Sequence, residues 1–250
     1  MKNFKNIMKI CLMSMFMLFT LTGCVVVSIS DMGQESVNGT GQRITKEYSV
    51  SEYSAVKING NMEVVYIADD LDVVTVEIQE NLLEYLDISV EDDELTIQAN
   101  KTFITDRTKT PIVYITIPTL NKLSVNGGAY IRDSDPVQSE TFTFIINGAS
   151  KAELEIYADS IMVEVNGAGS ITLFGTATEA DISINGAGNV DALKLQTENA
   201  SVRLDGAGRL SIACSENLIA EMNGIGSIAY KGDPSVKPSI SGIGTINQVK

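Results

Sequence analysis

The side chains whose types suit bond-breaking or metal chemistry are few and scattered. Asp133 and Asp135 stand two residues apart, and Asp181 and Asp191 ten apart. Paired carboxylates act as acid and base, or acid and nucleophile, in glycoside cleavage. Here no spacing makes them converge with each other or with an arginine, so solvated surface charge is expected. Glu91-Asp92-Asp93-Glu94 is rich enough in carboxylates to suggest calcium. No Gly-containing ligand loop surrounds it, and a hairpin tip is the expectation. Cys214 ends the apolar run Leu210-Ser211-Ile212-Ala213-Cys214. A thiol reacts as its thiolate, which needs a basic or electropositive neighbour. The chain has no histidine, which excludes His-based triads, His-ligated zinc and His general bases. Cys214 therefore reads as a buried structural thiol. No catalytic residue, metal or cofactor is assigned, and an enzyme is not expected.

The cysteine with a chemical assignment is Cys24. Lys2, Lys5 and Lys9 precede an almost unbroken apolar run from Ile10 to Thr20, and Leu21-Thr22-Gly23-Cys24 follows. That run is too short for the roughly 20 apolar residues of a membrane-spanning helix. A charged start, a short apolar centre and small residues at the end read as a signal peptide over residues 1–23. The Leu-Thr-Gly-Cys string resembles the bacterial lipobox. The resemblance implies acylation of Cys24 on sulfur and cleavage of the Gly23–Cys24 bond. Acyl chains hold a protein to a bilayer by about 0.8 kcal/mol per buried CH₂. With Cys11 removed and Cys24 acylated, only Cys214 remains, so no intramolecular disulfide is expected. The expected location is outside the cytoplasm, anchored to a membrane at the cell surface or its periplasmic face.

Charge narrows the partners. The 250 residues carry a formal charge of −14, and loss of residues 1–23, with three lysines and no acid, moves it to −17. Such a surface repels phosphate backbones, so nucleic acid is not an expected partner. Tryptophan is absent, which leaves tyrosine as the platform for stacking sugars.

Chemistry this sparse directs attention to the elements. Residues 24–47 are polar and without sustained periodicity, and read as a lipidated flexible tether. Residues 48–120 alternate apolar and polar: Val56-Lys-Ile58, Met62-Glu-Val64, Val74-Thr-Val76-Glu-Ile78, Leu86-Asp-Ile88-Ser-Val90, Leu95-Thr-Ile97 and Ile112 to Ile117. Period two bounded by turn residues means strands. Residues 121–250 repeat an Asn-Gly-x-Gly unit, as in Val165-Asn166-Gly167-Ala168-Gly169-Ser170-Ile171 and Ile184-Asn185-Gly186-Ala187-Gly188-Asn189-Val190. The corner pairs are Asn126-Gly127, Asn147-Gly148, Asn166-Gly167, Asn185-Gly186, Asp205-Gly206, Asn223-Gly224 and Ser241-Gly242, at steps of 18 to 21 residues. A fixed period of this kind is a solenoid signature. The residues one and three before each corner are mostly apolar and the one between is usually polar, as in Val163-Glu164-Val165 and Ile182-Ser183-Ile184, which gives an inner and an outer strand face. Asn-Gly is expected to reverse the chain because both residues tolerate positive φ. The predicted fold is all-β: a parallel β-helix, or solenoid, of about 20-residue coils with a more irregular β region at its N-terminal end. Stacked coils would set Asn126, Asn147, Asn166, Asn185, Asp205 and Asn223 in one column, where amides can hydrogen-bond up the stack.

The Val56-Lys-Ile-Asn-Gly60 start, the passage from Ile115-Thr-Ile-Pro118 to Leu123, the repeated Asn-Gly-Ala-Gly units and the ending from Tyr230-Lys-Gly-Asp-Pro234 to Gly244 together resemble the bacterial family DUF2807, the putative auto-transporter adhesin head GIN domain. The resemblance spans roughly residues 53–250 and implies one unit over residues 48–250, a parallel β-helix and no catalytic residues. The expected function is a binding or adhesion module displayed on the cell envelope, with a surface glycan or an envelope protein as partner. The alternative is a structural or regulatory envelope component, such as a scaffold or stress-sensor accessory. A β-helix polysaccharide-active enzyme ranks third.

Overall fold

Between one Asn-Gly corner and the next the backbone stays extended for 16 to 18 residues: Ala149–Val165, Ala168–Ile184, Ala187–Leu204 and Ala207–Met222. Each segment is two straight runs with a bend between them. In the first segment Ala152, Leu154 and Ile156 are buried, then Ile161, Val163 and Val165. The change of parity between Ile156 and Ile161 marks the second corner. The structure, a computed structural model, describes residues 35–250; Gly23 and Cys24 lie outside them. Residues Glu35–Lys250 form one compact unit. Among the described residues there are two short 3₁₀ turns and no α-helix.

Successive coils pair in parallel and in register, Val163 with Ile182 and Ile182 with Val202. Like residues thus stack on like, and the interior becomes continuous columns of Val, Ile and Leu. Unequal coil lengths are absorbed by register shifts between Thr172 and Phe174 and between Ala192 and Gln196. Ser183 and Arg203 lie on the outer face between fully buried neighbours.

The solenoid begins before the recognised repeat. Ala55–Asn59 pairs in parallel with Lys122–Val125, and Met62–Ile67 with Ala129–Asp133. Residues 55–67 are therefore a coil, with Asn59-Gly60 as its corner. The chain then passes to the far side of that coil, where Glu94–Ala99 pairs with Ala55–Asn59 and Ile112–Thr116 with Met62–Ile67. It returns at Lys122. An excursion over residues 68–121 between two stacked coils conceals the period that the later coils display.

Part of the segment expected to be tether is strand. Ser36–Asn38 pairs with Thr102–Ile104, and Arg43–Ser49 lies antiparallel to Val73–Gln79. Ile44 and Tyr48 are the inward residues of that strand. Two apolar residues four apart are a weak local signal, and the strand is fixed by a partner thirty residues away. The acidic tetrad is a hairpin tip: Asp92 and Asp93 have φ of 49° and 64°, as a two-residue turn of type I′ requires. The adjoining 3₁₀ turn, Glu80–Tyr85, sets Leu82 fully buried in the core.

Candidate functional site

The Asn-Gly column is built from backbone outward. The N–H of Asn166 donates to Ile146 O and that of Asn185 to Val165 O, both at 2.8 Å. Each corner is thereby clamped to the coil before it, and the side-chain amides fall in line. Asn126 Nδ2 donates to Asn59 Oδ1 at 2.7 Å, Asn147 to Asn126 at 2.8 Å, Asn166 to Asn147 at 3.0 Å and Asn185 to Asn166 at 2.8 Å. Asn223 donates to Asp205 Oδ1 at 2.7 Å. The ladder breaks between Asn185 and Asp205, because a carboxylate has no hydrogen to donate back to Asn185. The first rung, Asn59, escaped the sequence reading.

The corner glycines have a reason other than the expected one. Positive φ occurs at Gly60, and at Gly208, Gly226 and Gly244 among the second glycines, but not at Gly127, Gly148, Gly167, Gly186, Gly206, Gly224 or Gly242. What forbids a side chain there is the next coil's backbone. A Cβ on Gly186 would fall on the carbonyl oxygen of Gly167, and one on Gly167 on that of Gly148. Those carbonyls accept the N–H of the residue after the next corner, Ala187 on Gly167 and Ala168 on Gly148. The glycines are therefore the close-contact seam of the stack.

Beside this seam runs a groove. Its floor is the column Asn61, Gly128, Ala149, Ala168 and Ala187, small residues one position after each corner. One wall is the next outward column, Glu63, Tyr130, Lys151 and Ser170; the other is the turn carrying Arg107 and Thr110. The groove encloses about 850 Å³. Most of its charge is neutralised: Arg132 pairs with Glu63 at 2.9 Å and Lys151 with Glu153 at 2.8 Å. The hydrogen bond that Lys151 donates to Glu153 pushes the Lys151 pKa up, and its ammonium lies 5.3 Å from the Tyr130 ring centroid. Arg107 makes no ion pair among the described residues. The turn that carries it is held by Arg43, whose guanidinium donates to Thr108 O and Thr110 O at 3.2 Å and pairs with Glu77 at 3.2 Å. Arg43 lies in the segment expected to be tether, so no sequence signal pointed to it. A second open groove, about 640 Å³, follows the opposite corner past Tyr157, Thr176, Thr178 and Gln196.

The other candidate residues do not assemble. Asp181 pairs in register with Met162 and Ser201, on the second run of its coil, while Asp191 lies on the first run of the next, opposite Thr172 and Ser211. Asp133 accepts the Glu155 N–H at 2.7 Å, and its pKa is raised, chiefly by burial. Tyr66 is buried nearby, its hydroxyl unpartnered among the described residues, and burial with Asp135 and Asp133 pushes its pKa up to about 12. Cys214 is buried, with Sγ 3.2 Å from the carbonyls of Glu198 and Asn217. Among the described residues no group of three or more His, Cys, Asp or Glu is placed to hold a metal.

A parallel β-solenoid with an amide ladder, a glycine seam and an open lateral groove defines a class of display scaffold. Within it, the chain belongs to the DUF2807 family, the putative auto-transporter adhesin, head GIN domain, whose model matches residues 52–234. Its fold is similar to a putative adhesin of Bacteroides fragilis, with 24% identity, 85% of this chain and 100% of that chain covered, and a TM-score of 0.80. A putative adhesin of Parabacteroides distasonis shares 28% identity over 86% of this chain and 100% of its own, with a TM-score of 0.61. A putative lipid binding protein of Parabacteroides distasonis shares 24% identity over 86% and 100%, with a TM-score of 0.68. No curated protein matches the chain.

Proposed function

We propose that the chain is a surface-displayed adhesion module, anchored through an acylated Cys24, that binds an extended and mainly uncharged glycan along the groove. The observation that carries this reading is the groove itself. It crosses five stacked coils, about 19 Å at the 4.8 Å strand spacing, and its charges are mostly paired within the protein. What it offers a ligand is hydroxyl and amide groups from Asn61, Ser170 and Thr110 beside the Tyr130 ring. Hydroxyl-rich sugar rings match such a surface, while the acidic body disfavours polyanions. Membership of an adhesin-named family and structural neighbours named adhesin or lipid binding protein support a binding role.

The anchor and the adhesion can be tested together. Cells carrying the wild-type chain should incorporate a fatty-acid analogue into it and attach to a glycan-coated surface. Cys24→Ser should abolish the labelling and shed attachment. Undiminished labelling of the variant would place the anchor elsewhere, and attachment unchanged by deletion of the whole chain would remove the adhesion reading.

A further inference from the structure

The two ends of the solenoid are finished differently. At the N-terminal end the outermost strands are Leu86–Glu91, paired with Glu94–Ala99, and Arg43–Ser49, paired with Val73–Gln79. Residues 69–94, which form much of that end, hold eleven Asp and Glu and no Lys or Arg, against Arg43, Lys46 and Glu47 on the Arg43–Ser49 strand. At the other end the last strands are Ser235–Ile240 and Ile243–Gln248, each paired on one side, with Ala207–Met222 and Ile225–Lys231. Residues 225–250 hold Lys231, Lys237 and Lys250 against the single acid Asp233. All three lysines are exposed, and none is in an ion pair among the described residues. Both ends leave apolar rows half covered: Ile44, Tyr48, Ile88 and Val90 at one, Val236 and Ile246 at the other. Ile240 and Ile243 are 50% and 72% exposed.

We propose that the molecule assembles end to end, the C-terminal rung of one copy seating on the acidic N-terminal end of a second copy. Charge selects this orientation. Two C-terminal ends would set lysine against lysine, and like charges across paired strands repel. A C-terminal end against an acidic end sets Lys237 in line with Glu91, the two sharing one column of the register. The sheets also continue across such a joint. Ser235–Ile240 belongs to the stack whose far edge is Leu86–Glu91, and Ile243–Gln248 to the stack whose far edge is Arg43–Ser49. Ile243 and Val249 donate their N–H groups back to Gly224 and Tyr230. Strand alternation then turns the N–H groups of Gly244, Ile246 and Gln248 toward the open side. Pro238 has no N–H and weakens the other edge, so Ile243–Gln248 is the strand that pairs. A head-to-tail contact of this kind does not close on itself and yields linear chains.

Zero-length carbodiimide coupling of lysine to carboxylate tests the joint in the full chain, held in nonionic detergent at low salt. Leu86–Glu91 and Ser235–Ile240 are nine strand spacings apart in one copy, about 43 Å, so a link between them joins two copies. The expected product is Lys237 coupled to Glu91. Sedimentation should show mass rising with protein concentration and falling as salt screens the contact. Lys231→Glu/Lys237→Glu should weaken association about tenfold with an unchanged circular dichroism spectrum. Mixing it with Asp87→Lys/Glu91→Lys should restore assembly that neither variant shows alone. A single monomeric species at all concentrations, links confined to C-terminal ends, or association indifferent to both charge reversals would overturn the proposal.

Discussion

At the scale of the residue, the repeat is a steric rule as much as a hydrogen-bonding one. Asn supplies an amide that donates down and accepts from above, and Gly supplies nothing, which the neighbouring backbone demands. Gly186→Ala should therefore destabilise the fold by about 1–3 kcal/mol, as overpacking of a close contact does. Ser183→Val, on an outer face two residues before the corner Asn, should change stability by less than about 0.5 kcal/mol. Urea melts compare them; equal midpoints would mean that the seam can open for a methyl group. The same column contains its own repair. Asp205→Asn provides the missing donor to Asn185 and should stabilise by about 1 kcal/mol, the net worth of one hydrogen bond. No gain in the melting midpoint would show that the ladder contributes nothing. From Asn126 onward the residues of this column were legible in the sequence from spacing alone; Asn59, separated from Asn126 by the long excursion, was not. Why glycine must follow was not, because spacing reports local conformation and the obstruction comes from a residue nineteen positions away.

At the scale of the element, coils with regular neighbours were readable and elements defined by distant partners were not. Val163, Val165, Ile182, Ile184, Val202 and Leu204 announce an inner face by period two, and all six are fully buried. Ala55–Asn59 and Met62–Ile67 carry the same signals, yet their stacking neighbours begin at Lys122. Arg43–Ser49 gives no strand signal in the sequence because its mostly polar residues gain strand structure only by pairing with Val73–Gln79. That strand positions the groove wall. Arg43→Ala removes two hydrogen bonds to the 107–110 turn together with the Glu77 ion pair. The turn should loosen while the solenoid stays folded, since each coil contacts chiefly its neighbours. Hydrogen exchange at residues 107–110 should accelerate about tenfold or more, matching the loss of about 1.4 kcal/mol or more of local stability. Unchanged exchange there would mean that the turn is held by other contacts.

At the scale of the whole molecule, the sequence located the repeat, but the groove needs three separated segments brought together: the small residues after the corners, the Glu63–Ser170 column and the Arg107 turn. The account stands or falls on whether a glycan lies there. Calorimetric titration of the full chain with neutral glucose and mannose oligosaccharides of increasing length, and with a polyuronate, decides it. Affinity should rise with length until the groove is filled, and the polyuronate should bind far more weakly. Tyr130→Ala should weaken the longest oligosaccharide at least about tenfold, as loss of a stacking anchor in a binding site does, while Ser239→Ala on the distant last coil should leave it unchanged. No heat from any neutral oligosaccharide, or affinity that Tyr130→Ala does not alter, would contradict the claim that this groove is the binding site.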